Sequence, residues 1–253
     1  MRVFLSLCLV VCCLYDGGAA QAGRVYYLAV GVGHYTQRAW PRLDSPPQDA
    51  RTLTQALNVV WPGETTLLID QQATKRRIAQ EVARIAGCIT AQDAFVFYFS
   101  GHGGSDAVRG ARVNYLQPVD SSPADYRHEI TDAELAGWLA RFPAPQHVLL
   151  LLDSCHAAAF AQGVVHAPRG AAYTILAAAG ADESSLDAGG GSLFTRNLRE
   201  GLTFHRAQLD TNGDGLMSAS ELFAYAGPRT TADAHLYRAR QHPQQLGGDM
   251  MLW

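Results

Sequence analysis

The sequence is poor in cysteine, in net charge and in long apolar runs, and each shortage excludes something. Of the five cysteines in 253 residues, Cys8, Cys12 and Cys13 crowd into the first 13 positions. The two that remain, Cys88 and Cys155, cannot build a disulfide framework. A formal charge of −3 leaves no basic field to attract nucleic acid or anionic lipid. The apolar run at residues 3–14 is shorter than the roughly 20 residues that cross a bilayer. No internal repeat, low-complexity linker or His-Glu-x-x-His metal spacing occurs, and His156, His166, His205, His235 and His242 carry no metal pattern. What is present is ample apolar material: 48% hydrophobic against 17% charged residues is enough for one well-buried globular domain. Nothing in the sequence sets an oligomeric state.

The apolar run has its own reading. Arg2 precedes it and the small-residue site Ala20-Gln21-Ala22 follows, which is the layout of a cleaved secretory signal peptide. Residues 1–22 are therefore expected to be removed. The mature chain, 23–253, is expected to be secreted or periplasmic, with no membrane partner once the signal is gone. Cys12 and Cys13 follow Val11 rather than a small residue, which argues against a lipoprotein. Cys88 closes a helical pattern of Ile78, Val82, Ile85 and Ile89 and reads as a small buried hydrophobe, whereas Cys155 lies in a different setting.

Along the mature chain, strand-like and helix-like patterns alternate. Residues 25–32, 66–69, 94–99, 147–152 and 173–178 are continuous apolar runs of the kind that form strands buried on both faces. Residues 48–59, 74–89, 131–141 and 192–202 repeat with helical period, and Thr131 with Glu134 forms a capping box. Alternation of this kind predicts an α/β fold with a mostly parallel central sheet flanked by helices. In the common 2-1-3-4-5 strand order, ligands sit beyond the carboxyl ends of strands 1, 3 and 4. His102 follows the third run ("FYFSGHGG") and Cys155 follows the fourth ("LLLLDSCH"), so both are expected at that edge.

A cysteine and a histidine brought together suit nucleophilic catalysis, because the thiolate attacks and the imidazole handles the proton. Gly101 and Gly103 allow a close backbone approach, and the amides of Gly103 and Cys155 are candidates for an oxyanion hole. Taken singly, His102 reads first as a turn histidine and Cys155 as an inert buried thiol.

Together, "YFSGHGG" and "LLLLDSCH" resemble the paired motifs of the caspase-like cysteine peptidases, particularly metacaspases and their bacterial relatives. A histidine about 50 residues before the cysteine is the caspase spacing. "GHYTQRAWPRLDSPPQDARTLTQAL", "NYLQPVD", "GSLFTRNLREGL" and "QHPQQLGGDMMLW" extend the resemblance over the mature chain. It implies a caspase-like sandwich and a cysteine endopeptidase acting on protein or peptide, with Cys155 as nucleophile and His102 as base and acid. "DSCHA" departs from the animal-caspase Q-A-C-x-G and lacks the glycine usual soon after the metacaspase cysteine, which argues against strict aspartate specificity. The resemblance also implies that Asp49, Ser100 and Asp153 line the primary specificity pocket, where two carboxylates would select Arg or Lys before the scissile bond. Asp49 reads otherwise as a helix-start acid and Asp153 as a strand-end residue bonded to backbone. Two alternatives stand beside the basic-specific peptidase. One is a catalytically silent, calcium-stabilised peptide-binding domain, and the other is a legumain-like enzyme cutting after Asn.

Residues 210–221 read D-x-N-x-D-G-x-x-S-x-x-E, a complete EF-hand-type loop. Ca²⁺ is the expected ion, held by Asp210, Asn212, Asp214, Ser218, Glu221 and the Leu216 carbonyl. Between Cys155 and residue 173 runs "HAAAFAQGVVHAPRGAA", read as an ordinary surface loop, with self-cleavage after Arg169 as the alternative.

Overall fold

The computed structural model describes residues 23–252 apart from 109, 124–125, 143–146, 167–171 and 189. The expected signal segment 1–22 and Arg169 lie outside the described residues. In chain order the elements are β1 (Val25–Gly31), α1 (Pro46–Val60), β2 (Glu64–Ile69), α2 (Lys75–Ala86), β3 (Ala94–Ser100), β4 (Gly103–Val108), β5 (Ala111–Leu116) and β6 (Ile130–Thr131). There follow α3 (Asp132–Leu139), β7 (His147–Asp153), α4 (Ala157–Val165), β8 (Ala172–Ala177), α5 (Leu193–Phe204), α6 (Arg206–Leu209), α7 (Ala219–Leu236) and β9 (Gln244–Gly247).

The expected order of the five apolar runs holds as β2-β1-β3-β7-β8, all parallel, and β9 adds an antiparallel sixth strand beside β8. The runs are continuously apolar because both faces are covered. Alternate residues Tyr26, Leu28, Phe95, Phe97, Leu150 and Leu152 pack with Ile78, Val82, Leu135 and Phe160 on one side. Their neighbours Tyr27, Ala29, Val96, Tyr98, Leu149 and Leu151 pack with Leu53, Leu57, Leu198 and Leu222 on the other. Strand periodicity of two thus feeds two cores at once.

Helix ends differ from expectation for identifiable reasons. α1 begins earlier, at Pro46, where proline loses no helical hydrogen bond. α2 starts behind Thr74, whose hydroxyl accepts from Arg77 N–H at 3.2 Å, and stops at Ala86 rather than continuing to 89. The reading of Cys88 as buried is therefore corrected: it lies past the last helical turn and is exposed, while Ile89 turns inward. The capping box of Thr131 and Glu134 is in place at α3.

The segment after Cys155 is also corrected. Residues 157–165 are the helix α4, with Ala157, Ala158, Phe160, Ala161 and Val164 buried, not a surface loop. A helix apolar nearly all round shows no amphipathic stripe, which hid it in the sequence. A small antiparallel sheet, β4-β5-β6, follows His102. β4 is half exposed and so carries no apolar run.

Candidate active site

β3 and β7 are adjacent, and their register pairs Ser100 with Asp153. His102 and Cys155 each follow two residues beyond that pair, so the chain leaves the sheet at one edge carrying both. They line a single cavity of about 100 Å³, together with Ser100, Asp153, Ser154 and Ser185. Gly101 N–H donates to the Asp153 carbonyl at 3.3 Å, stitching the two exits together.

His102 is held on three sides. Its N–H donates to the Tyr35 hydroxyl at 2.7 Å, its carbonyl accepts from Gln117 N–H at 3.0 Å, and its Nε2 lies 2.8 Å from the Pro41 carbonyl. A carbonyl only accepts, so Nε2 carries the hydrogen, and in the neutral ring the free lone pair belongs to Nδ1. The Tyr35 ring lies 5.1 Å from the imidazole and the Trp40 ring 6.4 Å. Burial pushes the Tyr35 phenol up, so it stays a neutral partner.

Gly101 and Gly103 are small for contact reasons. A Cβ at Gly101 would sit 2.9 Å from the Tyr35 hydroxyl, and one at Gly103 would sit 2.7 Å from Ser154 Oγ and 2.9 Å from the Cys155 carbonyl. The absence of glycine soon after Cys155 is met by His156 itself, which takes the left-handed conformation at φ 57°. Its N–H donates to the Glu183 carbonyl at 2.8 Å and its Nδ1 lies 2.8 Å from the Ala181 carbonyl. His156 therefore anchors the turn that presents Cys155 ahead of α4.

The carboxylates form a graded set. Asp153 is 3% exposed, and its Oδ2 accepts from Ser192 Oγ, from Thr195 Oγ1 at 2.6 Å and from Thr195 N–H at 3.3 Å. Its Oδ1 accepts from Ser185 Oγ at 2.6 Å. Burial raises its affinity for a proton, and the four donors pull the other way. Asp49 is 6% exposed and accepts from Ser192 N–H at 3.0 Å. Burial, reinforced by the nearby Asp153 charge, pushes it up to about 7. Asp49 stands behind Ser192 and is not among the residues lining the cavity, whereas Ser100 and Asp153 are.

Sequence reasoning missed three contributors. The Pro41 carbonyl has no side-chain signal at all. Gln241, fully buried, accepts from Leu186 N–H at 3.1 Å and donates to Ser185 Oγ at 3.2 Å and to the Ala178 carbonyl at 2.9 Å, fixing the cavity wall from beyond α7. Asp187 lines the cavity and was passed over because it sits in a polar loop without a motif.

The calcium-type loop lies elsewhere, between α6 and α7. Asp210 accepts from the N–H groups of Gly213, Asp214 and Gly215 at 2.8–3.1 Å, and Asp214 accepts from Leu216 N–H at 2.8 Å. Asn212 Nδ2 donates to Asp214 at 2.9 Å. Glu221 accepts from Thr211 N–H at 2.8 Å and Ser218 N–H at 3.0 Å. The Ser218 amide, then those of Thr211 and Asn212, hold Glu221 below its ordinary value. Met217 is buried and bonded to Leu252, and Ser218 bridges to Met251, so the chain's final segment pairs with the loop. Among the described residues no three His, Cys, Asp or Glu side chains are gathered as a metal would gather them.

Comparison with known proteins adds a family. The caspase domain model matches residues 24–247. No curated protein matches the sequence. Among solved structures, the crystal structure of a Geobacter sulfurreducens protein shares the fold at TM-score 0.66, with 17% identity over 88% of this chain and 92% of the other.

Proposed function

The chain belongs to the caspase-domain family, and from that premise we propose that it is an active cysteine endopeptidase in which Cys155 is the nucleophile and His102 the proton carrier. Membership implies a peptidase acting on protein or peptide. The observation that carries the finer reading is the single cavity lined by both residues at the paired ends of β3 and β7.

In this mechanism the Cys155 sulfur attacks the scissile carbonyl carbon after its proton passes to the free imidazole nitrogen of His102. The Pro41 carbonyl holds the ring in the tautomer that can accept it. Negative charge develops on the carbonyl oxygen, for which the N–H groups of Gly103 and Cys155 are the proposed donors. His102 then protonates the leaving amine, an acyl-enzyme remains on Sγ, and water attacks it with His102 again as base. Asp153 in the cavity wall beside Ser100, with Asp49 behind, offers carboxylates that a cationic side chain would meet, and we propose Arg or Lys before the scissile bond. The same carboxylates argue against Asn specificity. Intact Cys155 and His102 argue against a silent peptide-binding domain.

Two further parts of the proposal rest on sequence. Residues 1–22 support export. The loop 210–221 has the oxygen donors for Ca²⁺, in Asp210, Asn212, Asp214, the Leu216 carbonyl, Ser218 and Glu221, already wrapped by backbone N–H groups. Bound there, the ion supplies positive charge that ties the start of α7 to the loop.

Cys155→Ala tests the central claim. The purified mature variant is expected to keep its circular dichroism and melting temperature but lose at least about a thousandfold in kcat against fluorogenic peptides, since no other group can form the acyl-enzyme. His102→Ala should lose comparably. Undiminished hydrolysis by Cys155→Ala sinks the cysteine-peptidase reading.

A further inference from the structure

The cavity beside Cys155 does not end at Asp153. A second, more open cavity of about 470 Å³ lies against it, between the start of α1 and the β8–α5 connection, and Leu43, Ser45 and Asp187 line both. Asp187 is pinned at this joint. Its Oδ2 accepts from Ser45 Oγ at 2.7 Å and from Ser45 N–H at 3.3 Å, and its backbone bridges to Ser192.

The carboxylates near the cavity differ in what they have left to offer. Asp153 accepts four hydrogen bonds from Ser185, Ser192 and Thr195. Asp49 does not line either cavity. Asp187 is exposed, and the Ser45 donors both meet Oδ2, leaving Oδ1 turned to no donor among the described residues. No Lys or Arg lines the first cavity, and Arg42, which lines the second, is paired with Asp44 at 2.8 Å. Ser154, in the wall of the first cavity, has a buried hydroxyl with no hydrogen-bond partner, a second polar group that the protein itself leaves unmet. An incoming head group rich in N–H donors matches both the charge and the missing bonds.

We propose that Asp187 is the specificity-determining carboxylate of this protease: it receives the guanidinium or ammonium of the substrate residue before the scissile bond, at the joint of the two cavities. The inference rests on the basic preference proposed above and assigns that preference to a residue of the β8–α5 connection rather than to Asp49.

The test uses the mature full chain and peptides that differ only before the scissile bond, carrying Arg, Lys or citrulline, the last an uncharged isostere of Arg. Wild type is expected to prefer Arg over citrulline. Asp187→Asn keeps an oxygen for the Ser45 donors and should reduce that preference by about tenfold or more through KM, the Arg peptide losing more than the citrulline peptide, as loss of a hydrogen bond to a charged group requires. Asp187→Glu, which keeps the charge, should retain discrimination, and Asp49→Asn, one layer behind Ser192, should reduce it less than Asp187→Asn does. A discriminating wild type whose ratio survives in Asp187→Asn overturns the assignment of Asp187 alone. A wild type that treats Arg and citrulline alike overturns the basic preference and the role of Asp187 together. Should Asp187→Asn not fold, Asp187→Ser takes its place and is read by the same two ratios: a fall in the Arg-over-citrulline preference supports the assignment, and an unchanged preference overturns it.

Discussion

Two regions of the chain concentrate carboxylates, and they hold them in opposite ways. At the end of the sheet, Asp153 and Asp49 are buried and met largely by Ser and Thr side chains or a single amide, and both are pushed up, Asp49 to about 7. In the loop 210–221, Asp210 is half-buried and Asp214 exposed, backbone N–H groups supply most of the donors, and Glu221 is pushed down. Similar residues thus make two kinds of anionic site. Desolvation at the sheet end strengthens the carboxylates' hold on a proton, whereas the loop's amides stabilise the charged form in advance.

The contrast breaks most visibly at Asp153. Asp153→Ala leaves the hydroxyls of Ser185, Ser192 and Thr195 without their shared acceptor inside the fold, which should cost about 3 kcal/mol or more. Activity against Arg peptides should fall with it. Asp210→Ala without calcium should cost under about 1 kcal/mol, because its donors face water. Chemical denaturation of both variants measures the difference. Equal losses would mean that burial does not separate the two regions.

Asp49 sharpens the same contrast through pH. Its affinity for a proton is raised in the folded state, from an ordinary value of 3.8 to about 7. The folded chain therefore holds this proton more tightly than the unfolded chain does. The stabilisation is complete below about pH 4 and is lost as pH rises toward 7. At about 1.4 kcal/mol per pH unit over that window, the loss is at most about 4 kcal/mol. Asp49→Asn, which cannot ionise, should flatten this part of the stability profile and be more stable than wild type at pH 8. A wild-type profile between pH 4 and 8 that Asn leaves unaltered would show Asp49 to be ordinarily ionised.

How far each region could be read from sequence follows from the same physics. The sheet was legible because β1, β3 and β7 are buried on both faces, and residues such as Phe95 to Phe99 have no polar alternation to blur the run. His102 and Cys155 were legible because they stand just past those runs. α4 was not, since Ala157, Ala158 and Phe160 bury a helix too uniformly apolar to show a stripe. Asp187, Gln241 and the Pro41 carbonyl were not, because their places at the cavity depend on the β1–α1 and β8–α5 connections and the segment after α7 folding back over the sheet end, which no local pattern encodes. The loop at 210–221 was legible as a motif, yet its pairing through Met217 and Ser218 with residues 251–252 is a long-range contact with no local signature.

That pairing shapes the smallest of the expected effects. EF-hand-type loops in extracellular modules bind Ca²⁺ at about 10⁻⁴ to 10⁻³ M, so calcium at about ten times the dissociation constant should stabilise the chain by about 1.4 kcal/mol. For a chain of this size the melting temperature should rise by roughly 3 to 5 °C. The shift should vanish in Asp210→Ala, which removes the first oxygen ligand of the motif. It should survive in Asp153→Asn, since the pocket carboxylate belongs to the other kind of site. Mg²⁺ at the same concentration should shift the transition less, because it demands tighter octahedral geometry than a twelve-residue loop with amide, hydroxyl and carbonyl donors provides. Deleting residues 250–253 should weaken the calcium response without abolishing it, because Ala219 N–H and the Met217 carbonyl lose their partners while the oxygen donors remain. A melting temperature that ignores millimolar Ca²⁺, or a shift that persists in Asp210→Ala, removes the ion from this loop and leaves its carboxylates as caps for their own backbone.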